Sequence, residues 1–318
     1  MKRILITGAA GFIGANLTRR LLRDGHRIHA LVRKDSDLWR LTDVLSDVSI
    51  HEAELCDQVK LGSVVKDIRP EWIFHLAAHG NYSWQDNVDR MVQTNVIGTV
   101  NLAQACLKND FESFVNTGSS SEYGIKDHPS REDEHLDPNS CYAVTKAAAT
   151  LFCRQLATSH RVNISTLRIY SAYGPYEDPL RFVPALIMAG LEGKLPPLVN
   201  PNISRDFIYI DDVLEACLSA ASVKSAEPGV IYNVSTGSCT SIEKAVETAR
   251  ELLNIQAKPQ WESMANRHWD TNVWVGDNTK IKSVLGWKPG YAFREGLKKT
   301  IEWFLANSRI LERYKKPQ

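Results

Sequence analysis

A tyrosine and a lysine four residues apart, Tyr142 and Lys146, have the residue types and the spacing for proton transfer. On a helix this spacing places both side chains on one face. A phenol has a pKa of about 10 and is a poor base at neutral pH, but a nearby ammonium favours the phenolate and lowers that pKa. Such a tyrosine can exchange a proton with a substrate hydroxyl.

Three consecutive serines, Ser119, Ser120 and Ser121, offer hydroxyl groups that could orient a substrate oxygen. They follow an apolar segment, residues 113–117, that we predict to be a strand. In parallel sheets, ligands bind beyond the carboxyl ends of the strands. We therefore expect the serines at an edge of the sheet where a ligand lies.

A glycine-rich turn connects the first predicted strand, residues 3–7, to a helix predicted over residues 12–23. Gly8 permits the tight turn, and Gly11 lets the backbone approach a pyrophosphate. Gly14 lets the helix pack closely against the strand. The order of strand, glycine turn and helix predicts a bound dinucleotide.

The predicted helix begins with Phe12 and Ile13, so its first N–H groups and its positive dipole end face the expected phosphates. We count both residues among the coenzyme contacts. With a nicotinamide coenzyme bound, proton exchange at Tyr142 would accompany hydride transfer.

The residues after the second predicted strand, 27–32, indicate which dinucleotide binds. NAD-binding proteins place an acidic residue there for the ribose hydroxyls. Here the first residues past the strand are basic, Arg33 and Lys34, and a guanidinium can bond a 2′-phosphate. NADP(H) is therefore favoured over NAD(H). The alternative is a solvated basic loop from which Asp35 reaches a ribose.

Apolar runs alternate with amphipathic segments in the first half of the chain. The sequence predicts further strands over 72–77 and 164–169 and helices over 59–67, 90–108 and 142–159. This alternation predicts an α/β fold, a doubly wound parallel sheet of Rossmann type.

Beyond residue 170 the prolines cluster and long periodic runs are few. Helices are predicted there over 181–192 and 241–254, and strands over 206–210 and 230–234. We predict a smaller, interleaved C-terminal substrate-binding lobe. The expected division is a dinucleotide-binding domain over 1–169, to which 206–235 returns, and a lobe over 170–205 and 236–318.

The composition excludes several classes of partner. The 318 residues carry 38 Lys and Arg against 37 Asp and Glu, a net charge of +1. This balance gives no electrostatic footprint for nucleic acid or for an anionic membrane. No apolar run reaches the roughly 20 residues of a membrane helix, and no Cys/His cluster has zinc spacing. We expect a cytoplasmic protein without a metal.

Six ordered motifs extend over nearly the whole chain: 7–14, 75–78, Asn95, the pair Tyr142 and Lys146, 205–213 and 285–289. Together they resemble the extended short-chain dehydrogenase/reductase family, in its nucleotide-sugar epimerase/dehydratase/reductase branch. The resemblance implies a nucleotide-sugar substrate. It also implies a homodimer formed through helices around 95–108 and 142–157.

The resemblance also implies residue roles. By position Ser119 matches the catalytic hydroxyl, with Ser120 or Ser121 as substitutes if the loop register differs, and Tyr142 and Lys146 match the catalytic pair. The other coenzyme contacts are expected from Glu54, Leu55, Leu76, Ala77 and Ala78. The substrate contacts are expected from His79, Ser120, Ser121, Ser171, Arg205 and Arg267, the two arginines on the diphosphate.

Several reactions use this set of residues. A 4-keto-sugar reductase with NADP(H) is favoured by Arg33, and a 4-epimerase with tightly bound NAD is the alternative. A 4,6-dehydratase needs an acid/base pair after the catalytic hydroxyl, where this chain has Ser120 and Ser121, with Glu122 one position late. A non-catalytic dinucleotide sensor is the remaining alternative, which the retained Tyr142 and Lys146 disfavour.

Overall fold

A seven-stranded parallel sheet forms the centre of the molecule. The computed structural model describes residues 1–82, 84–225, 227–266 and 271–315. The strand order is β3-β2-β1-β4-β5-β6-β10, for strands Arg3–Thr7 (β1), Arg27–Val32 (β2), Val48–Glu52 (β3), Trp72–His75 (β4), Ser113–Ser119 (β5), Ile164–Ile169 (β6) and Ile231–Val234 (β10). The order reverses between β1 and β4, which is where a doubly wound sheet binds its ligand. The predicted fold class is confirmed.

Helices cover both faces of this sheet. They are Phe12–Arg23 (α1), Gln58–Ile68 (α2), Val88–Met91 (α3), Gly98–Leu107 (α4), Cys141–His160 (α5), Phe182–Leu191 (α6), Ile210–Ser222 (α7), Ile242–Leu253 (α8), Thr279–Leu285 (α9), Phe293–Ala306 (α10) and Ser308–Lys315 (α11). A π-helical segment, Val92–Ile97, joins α3 to α4. No helix among the described residues is long and apolar enough to cross a membrane.

Because helices cover both faces of the parallel sheet, its strands are buried on both sides. Their side chains can therefore be apolar at successive positions and need not alternate in polarity. Every residue of β5 and of β6 is buried. Along β1, Ile4 and Ile6 belong to the core on one face, whereas Leu5 belongs to the core on the other. This alternation is the two-residue period of a strand.

Side-chain caps fix where α5 and α8 begin. Ser140 accepts the N–H of Ala143 at 3.2 Å and starts α5, and Ser241 accepts the N–H of Lys244 at 3.0 Å and starts α8. At the other end, α5 terminates at Arg161 in the left-handed conformation. The start of α5 matters most, because Tyr142 and Lys146 lie in its first two turns.

Most predicted elements are present, with a few differences. The helix predicted over 90–108 is interrupted by the π-helical segment. No range was predicted for β3, α7, α9, α10 or α11. Within the segment predicted to return to the sheet, β10 pairs with β6 in parallel. The strand near 206–210, Phe207–Tyr209 (β9), pairs instead with Ser171–Tyr173 (β7), outside the main sheet. A third small pair joins Ser204–Arg205 (β8) to Thr240–Ser241 (β11).

The glycine turn brings β1, α1 and β4 into close contact. Gly8 has a φ of +70°, and a Cβ there would lie 2.6 Å from the backbone nitrogen of Ala77. A Cβ on Gly14 would lie 2.1 Å from the carbonyl oxygen of Gly8. Gly14 therefore has the packing role that the sequence predicted.

Two glycines within helices should respond oppositely to the same substitution. Gly62, inside α2, has no atom within 4 Å of a Cβ position. Gly62→Ala should raise the free energy of unfolding by about 0.5–1 kcal/mol through helix propensity. Gly14→Ala should lower it by about 1–3 kcal/mol through overpacking. Urea titrations measure both, and equal effects at the two positions would contradict the packing of the turn.

Candidate functional site

A cavity of about 710 Å³ opens at the carboxyl edge of the sheet. The predicted site residues that line it come from both halves of the chain. They are Gly8, Gly11, Phe12, Ile13, Gly14, Leu76, Ala78, Ser119, Ser120, Ser121, Tyr142, Lys146, Ser171 and Arg205. The fold thus brings the glycine turn, the serine loop and the tyrosine–lysine pair to one place.

Other predicted site residues lie outside the cavity wall. The side chains of Lys34 and Glu54 are exposed. Leu55 and Ala77 make backbone hydrogen bonds within the protein. The Leu55 carbonyl accepts a hydrogen bond from the Asn101 side-chain amide at 3.0 Å, and the Ala77 N–H donates to the Thr7 hydroxyl at 3.3 Å. Arg267 lies outside the described residues.

His79 was predicted to contact the substrate, and its position gives that role no support. It does not line the cavity. Its backbone N–H donates to Asn95 at 2.8 Å. Burial lowers the pKa of its ring, and the charges of Arg90 and Arg33 lower it further.

Arg33 is the first residue after β2. Its guanidinium is 3.3 Å from Asp35, and its backbone N–H donates to the Ser36 hydroxyl at 3.0 Å. The last strand residue, Val32, is a buried apolar side chain. A cation, accompanied by one paired carboxylate, therefore lies at this strand end.

Tyr142 and Ser119 both line the cavity. Burial raises the pKa of Tyr142 to about 12, while the nearby hydroxyl of Ser119 and the charge of Arg181 act in the opposite direction. The expected lowering below 10 is therefore not found, because desolvation of the phenolate outweighs the favourable partners. Tyr142 carries its proton at neutral pH.

Lys146 is the buried member of the pair, at 3% exposure. Its ammonium donates to the carbonyl oxygen of Thr117, the residue two positions before Ser119 on β5. Burial lowers the pKa of Lys146, and the negative charge of Glu122 opposes that shift. The bond to β5 fixes α5, and with it Tyr142, against the strand that carries Ser119.

The π-helical segment places Asn95 between the strand edge and α5. The Asn95 side chain accepts the N–H of His79 and donates to the His79 carbonyl, both at 2.8 Å. It also donates to the hydroxyl of Thr145 at 2.9 Å. A π-bulge often occurs at functional sites, and here it lets one side chain connect the loop after β4 to the helix of Tyr142.

The neutral ring of His75, on β4, connects β1 to the π-helical segment through a chain of hydrogen bonds. The Thr99 hydroxyl donates to the carbonyl of Asn95 at 2.6 Å, so it accepts from His75 Nε2 at 2.8 Å. His75 Nδ1 then accepts from the Thr7 hydroxyl at 2.7 Å. Burial lowers the pKa of His75 to about 3, which keeps the ring uncharged and this chain of bonds intact.

The serine loop forms one turn of 3₁₀-helix, Ser120–Tyr123. The Ser119 hydroxyl accepts the N–H of Ser121 at 3.2 Å, and the Glu122 carboxylate accepts the N–H of Ser119 at 2.8 Å. These reciprocal bonds form a capping box. The Ser119 hydroxyl also donates to the Ser121 hydroxyl at 3.0 Å, and both side chains line the cavity with Tyr142.

Residues that the sequence did not single out complete the cavity. The Trp274 indole N–H donates to the Ser120 hydroxyl at 3.1 Å. The guanidinium of Arg205 lies 5.5 Å from the centre of the Trp274 ring. Tyr82 stacks on Trp84 with ring centres 4.6 Å apart. The aromatic residues of the loop after β4 are visible in the sequence, whereas no local signal pointed to Trp274.

Two charged residues of the proline-rich segment also line the cavity, Glu177 and Arg181, 3.8 Å apart. Glu177 is 5% exposed, and burial raises its pKa to about 8. The Arg181 guanidinium lies 5.6 Å from the Tyr82 ring. Their position opposite Tyr142 depends on the path of the chain after β7, which the sequence pattern did not predict.

Comparison with known proteins identifies the family. A UDP-glucose 4-epimerase of Mycolicibacterium smegmatis is 31% identical over 96% of this chain and 100% of its own length. The structure of UDP-glucose 4-epimerase from Thermotoga maritima with UDP-glucose superposes with a TM-score of 0.87 at 26% identity, covering 96% of this chain and 99% of the other. The structure of dTDP-glucose 4,6-dehydratase from Bacillus anthracis with NAD superposes with a TM-score of 0.86 at 25% identity, covering 98% of this chain and 99% of the other. The sequence model of the NAD dependent epimerase/dehydratase family matches residues 4–235, and this chain belongs to that family.

Proposed function

We propose that this protein is an NADPH-dependent reductase that converts the 4-keto group of a nucleotide-activated sugar to a hydroxyl. The observation that carries the proposal is the end of β2, where Val32 and the cationic Arg33 occupy the place of the acidic residue typical of NAD binding. Reversible exchange of NADPH suits a net reduction.

The chain contributes positioning and a proton to this reaction. The coenzyme, when bound at the glycine turn, supplies the hydride. Tyr142 donates its phenolic proton to the oxygen at C4, and the Ser119 hydroxyl hydrogen-bonds that same oxygen. Lys146 holds Tyr142 in place through Thr117, and its ammonium, which lines the cavity, would contact the coenzyme when bound. Because Tyr142 is protonated at neutral pH, it is ready to act as the acid.

The substrate proposal is supported by a cation in the cavity wall, Arg205. Arg205 lines it beside Trp274, and guanidinium groups bind phosphates through paired hydrogen bonds. We assign the diphosphate to Arg205, together with Arg267, and the sugar to the space between Ser120, Ser121 and Ser171. Relatives include a structure with UDP-glucose bound.

A 4-epimerase with tightly held NAD is the second candidate, and the relatives favour it: one is named UDP-glucose 4-epimerase at 31% identity. Dehydration has less support, although a 4,6-dehydratase is among the similar structures. Ser120 and Ser121 stand where an acid/base pair is needed, and both carboxylate oxygens of Glu122 are hydrogen-bonded away from the cavity.

The proposal is tested by mixing the purified protein with NADPH and a panel of 4-keto and 4-hydroxy nucleotide sugars. Stoichiometric loss of NADPH absorbance with a 4-keto sugar supports the reductase. Interconversion of 4-hydroxy epimers without net coenzyme change contradicts it and supports the epimerase. The mass of any coenzyme released on denaturation gives an independent result.

Tyr142 should give the reverse reaction a distinctive pH dependence. Oxidation of the 4-hydroxy product requires the phenolate, whose population rises about tenfold per pH unit below the pKa. Because that pKa is raised to about 12, the rate of NADP⁺ reduction should rise from pH 7 to pH 9. Tyr142→Phe should abolish this rise and lower turnover by about 10²–10⁴-fold. Tyr232→Phe, on β10 away from the cavity, is the control; an unchanged rate for Tyr142→Phe would refute the assignment.

Arg33 should determine coenzyme choice. A charge-assisted hydrogen bond contributes about 1.5–3 kcal/mol, so Arg33→Ala should raise KM for NADPH about 10- to 100-fold. KM for NADH should change less than about threefold, since NADH lacks the phosphate that Arg33 pairs with. Arg27→Ala, at the opposite end of β2, is the matched control. Equal changes for both coenzymes would argue against a 2′-phosphate contact.

We also propose a homodimer formed through α5 and the π-helical segment, together with the adjoining α3. The rest of the expected helix around 95–108 is α4, most of whose residues are buried within the chain. Large apolar side chains are exposed on α3, α5 and the π-helical segment: Val88, Val92, Ile97, Val144, Leu151 and Phe152. Exposed apolar side chains on neighbouring elements are typical of an interface, and two-fold dimers are the commonest symmetric assembly.

Charges placed on this face should yield a monomer. Leu151→Glu combined with Phe152→Glu would bury two carboxylates in the interface. Sedimentation velocity should then give the mass of one chain, against two for the wild type. Leu305→Glu, an equally exposed position on α10, should leave the mass unchanged. A wild-type monomer, or a dimer in the double variant, would contradict this arrangement.

A further inference from the structure

Glu122 is a fully buried carboxylate next to the reacting groups. It is 0% exposed and is absent from the cavity wall. One oxygen accepts the N–H of Ser119 at 2.8 Å and the hydroxyl of Thr150 at 3.0 Å, and the other accepts Nε of Arg168 at 2.8 Å. Glu122 therefore contacts the backbone of Ser119 and not the substrate.

Arg168 is the ion-pair partner of this carboxylate, with its Nε 2.8 Å from a Glu122 oxygen. It is 1% exposed, and its guanidinium lies 4.5 Å from the centre of the Tyr123 ring. The Tyr123 hydroxyl donates to Asn233 of β10 at 2.7 Å. A buried ion pair is tolerated only with good geometry and further hydrogen bonds, and these contacts supply both across β5, β6 and β10.

Gly118 makes room for the pair. It lies opposite Arg168 in the pairing of β5 with β6. A Cβ at this position would lie 2.6 Å from the Glu122 carboxylate and 3.2 Å from the Arg168 side chain. The absence of a side chain immediately before Ser119 thus permits the carboxylate to reach the Ser119 N–H.

We propose that Glu122 and Arg168 are positioning residues, which hold the backbone of Ser119 so that its hydroxyl stays aligned with Tyr142; the kinetic part of this inference rests on the proposed function. The Ser119 hydroxyl is bonded within a capping box whose reciprocal half is the Glu122 carboxylate. Without an acceptor at this place, the Ser119 N–H is buried and unpaired, and the turn that directs the hydroxyl loses its tether.

Two double variants separate this role from simple stability. Glu122→Met with Arg168→Met replaces the pair by apolar side chains of similar volume and leaves no buried charge, a change that is often neutral for stability. Glu122→Gln with Arg168→Gln is also uncharged but keeps an amide oxygen as the acceptor for Ser119. Both remove the Glu122 charge that acts on Lys146, so they differ from each other in the acceptor for Ser119 and Thr150.

The first measurement needs no substrate. Amide hydrogen exchange over residues 117–124, followed by mass spectrometry, reports whether the Ser119 segment opens. We expect exchange at least about tenfold faster in the methionine pair and close to wild type in the glutamine pair, with similar melting temperatures for both. Equal exchange in the two variants would overturn the inference.

The second measurement is kinetic. In the Glu122→Met, Arg168→Met variant kcat should fall about 10- to 100-fold, because a small displacement of a reacting group has an effect of this size. KM for the nucleotide sugar and for NADPH should change less than about threefold, since neither molecule contacts Glu122 or Arg168 in the proposed function. The glutamine pair should keep most of kcat. Equal kcat in the two variants would overturn the inference.

The inference and the proposed function fail separately. If the wild-type protein reduces no 4-keto nucleotide sugar, the proposed function is wrong, and hydrogen exchange still decides whether Glu122 and Arg168 hold Ser119. If the wild type is active and the methionine pair matches it in exchange and in kcat, the positioning role is wrong and the proposed function stands.

Discussion

The buried ammonium of Lys146 is the constraint on which the arrangement of the site depends. A charge in the interior is tolerated only where polar partners surround it. Lys146 meets this condition through the carbonyl of Thr117, with the charge of Glu122 nearby. These partners belong to β5 and the turn after it, so α5 has one position against that strand. Tyr142, one helical turn earlier, is then fixed beside Ser119.

The same edge of the sheet receives contributions from distant parts of the chain. The glycine turn at Gly8 gives it a surface for a dinucleotide, close to the backbone of Ala77. From the other side, the C-terminal part supplies Arg205 and Trp274, and the indole of Trp274 bonds to Ser120. In the proposed function the coenzyme lies against the glycine turn and the substrate against the C-terminal part, and Tyr142 lines the same cavity. This layout suits a reaction in which a hydride and a proton reach one sugar carbon and its oxygen.

The sequence predicted those parts of the site that depend on local pattern. The turn at Gly8 and the pair Tyr142 and Lys146 are visible as short motifs, and the apolar runs of the central strands are long enough to identify. The position of Glu122 was not predictable, because its partner Arg168 is opposite Gly118 only through the register of β5 with β6.

Long-range effects also limited the prediction of chemistry. The spacing of Tyr142 and Lys146 predicted a lowered phenol pKa, whereas burial by the rest of the fold raises it to about 12. The positions of Trp274 and Glu177 in the cavity wall depend on where segments distant in sequence approach each other. The division into 1–169 with 206–235, and a lobe formed by the rest, stays a prediction.

The most direct test of the account is the fate of the hydride. NADPH carrying deuterium on the transferred position of C4 should be incubated with a 4-keto nucleotide sugar, and the product analysed by NMR and mass spectrometry. The account predicts one deuterium at C4 of the sugar for each NADPH consumed. A 4-hydroxy product without deuterium at C4 would contradict hydride transfer from NADPH and with it the proposed reaction.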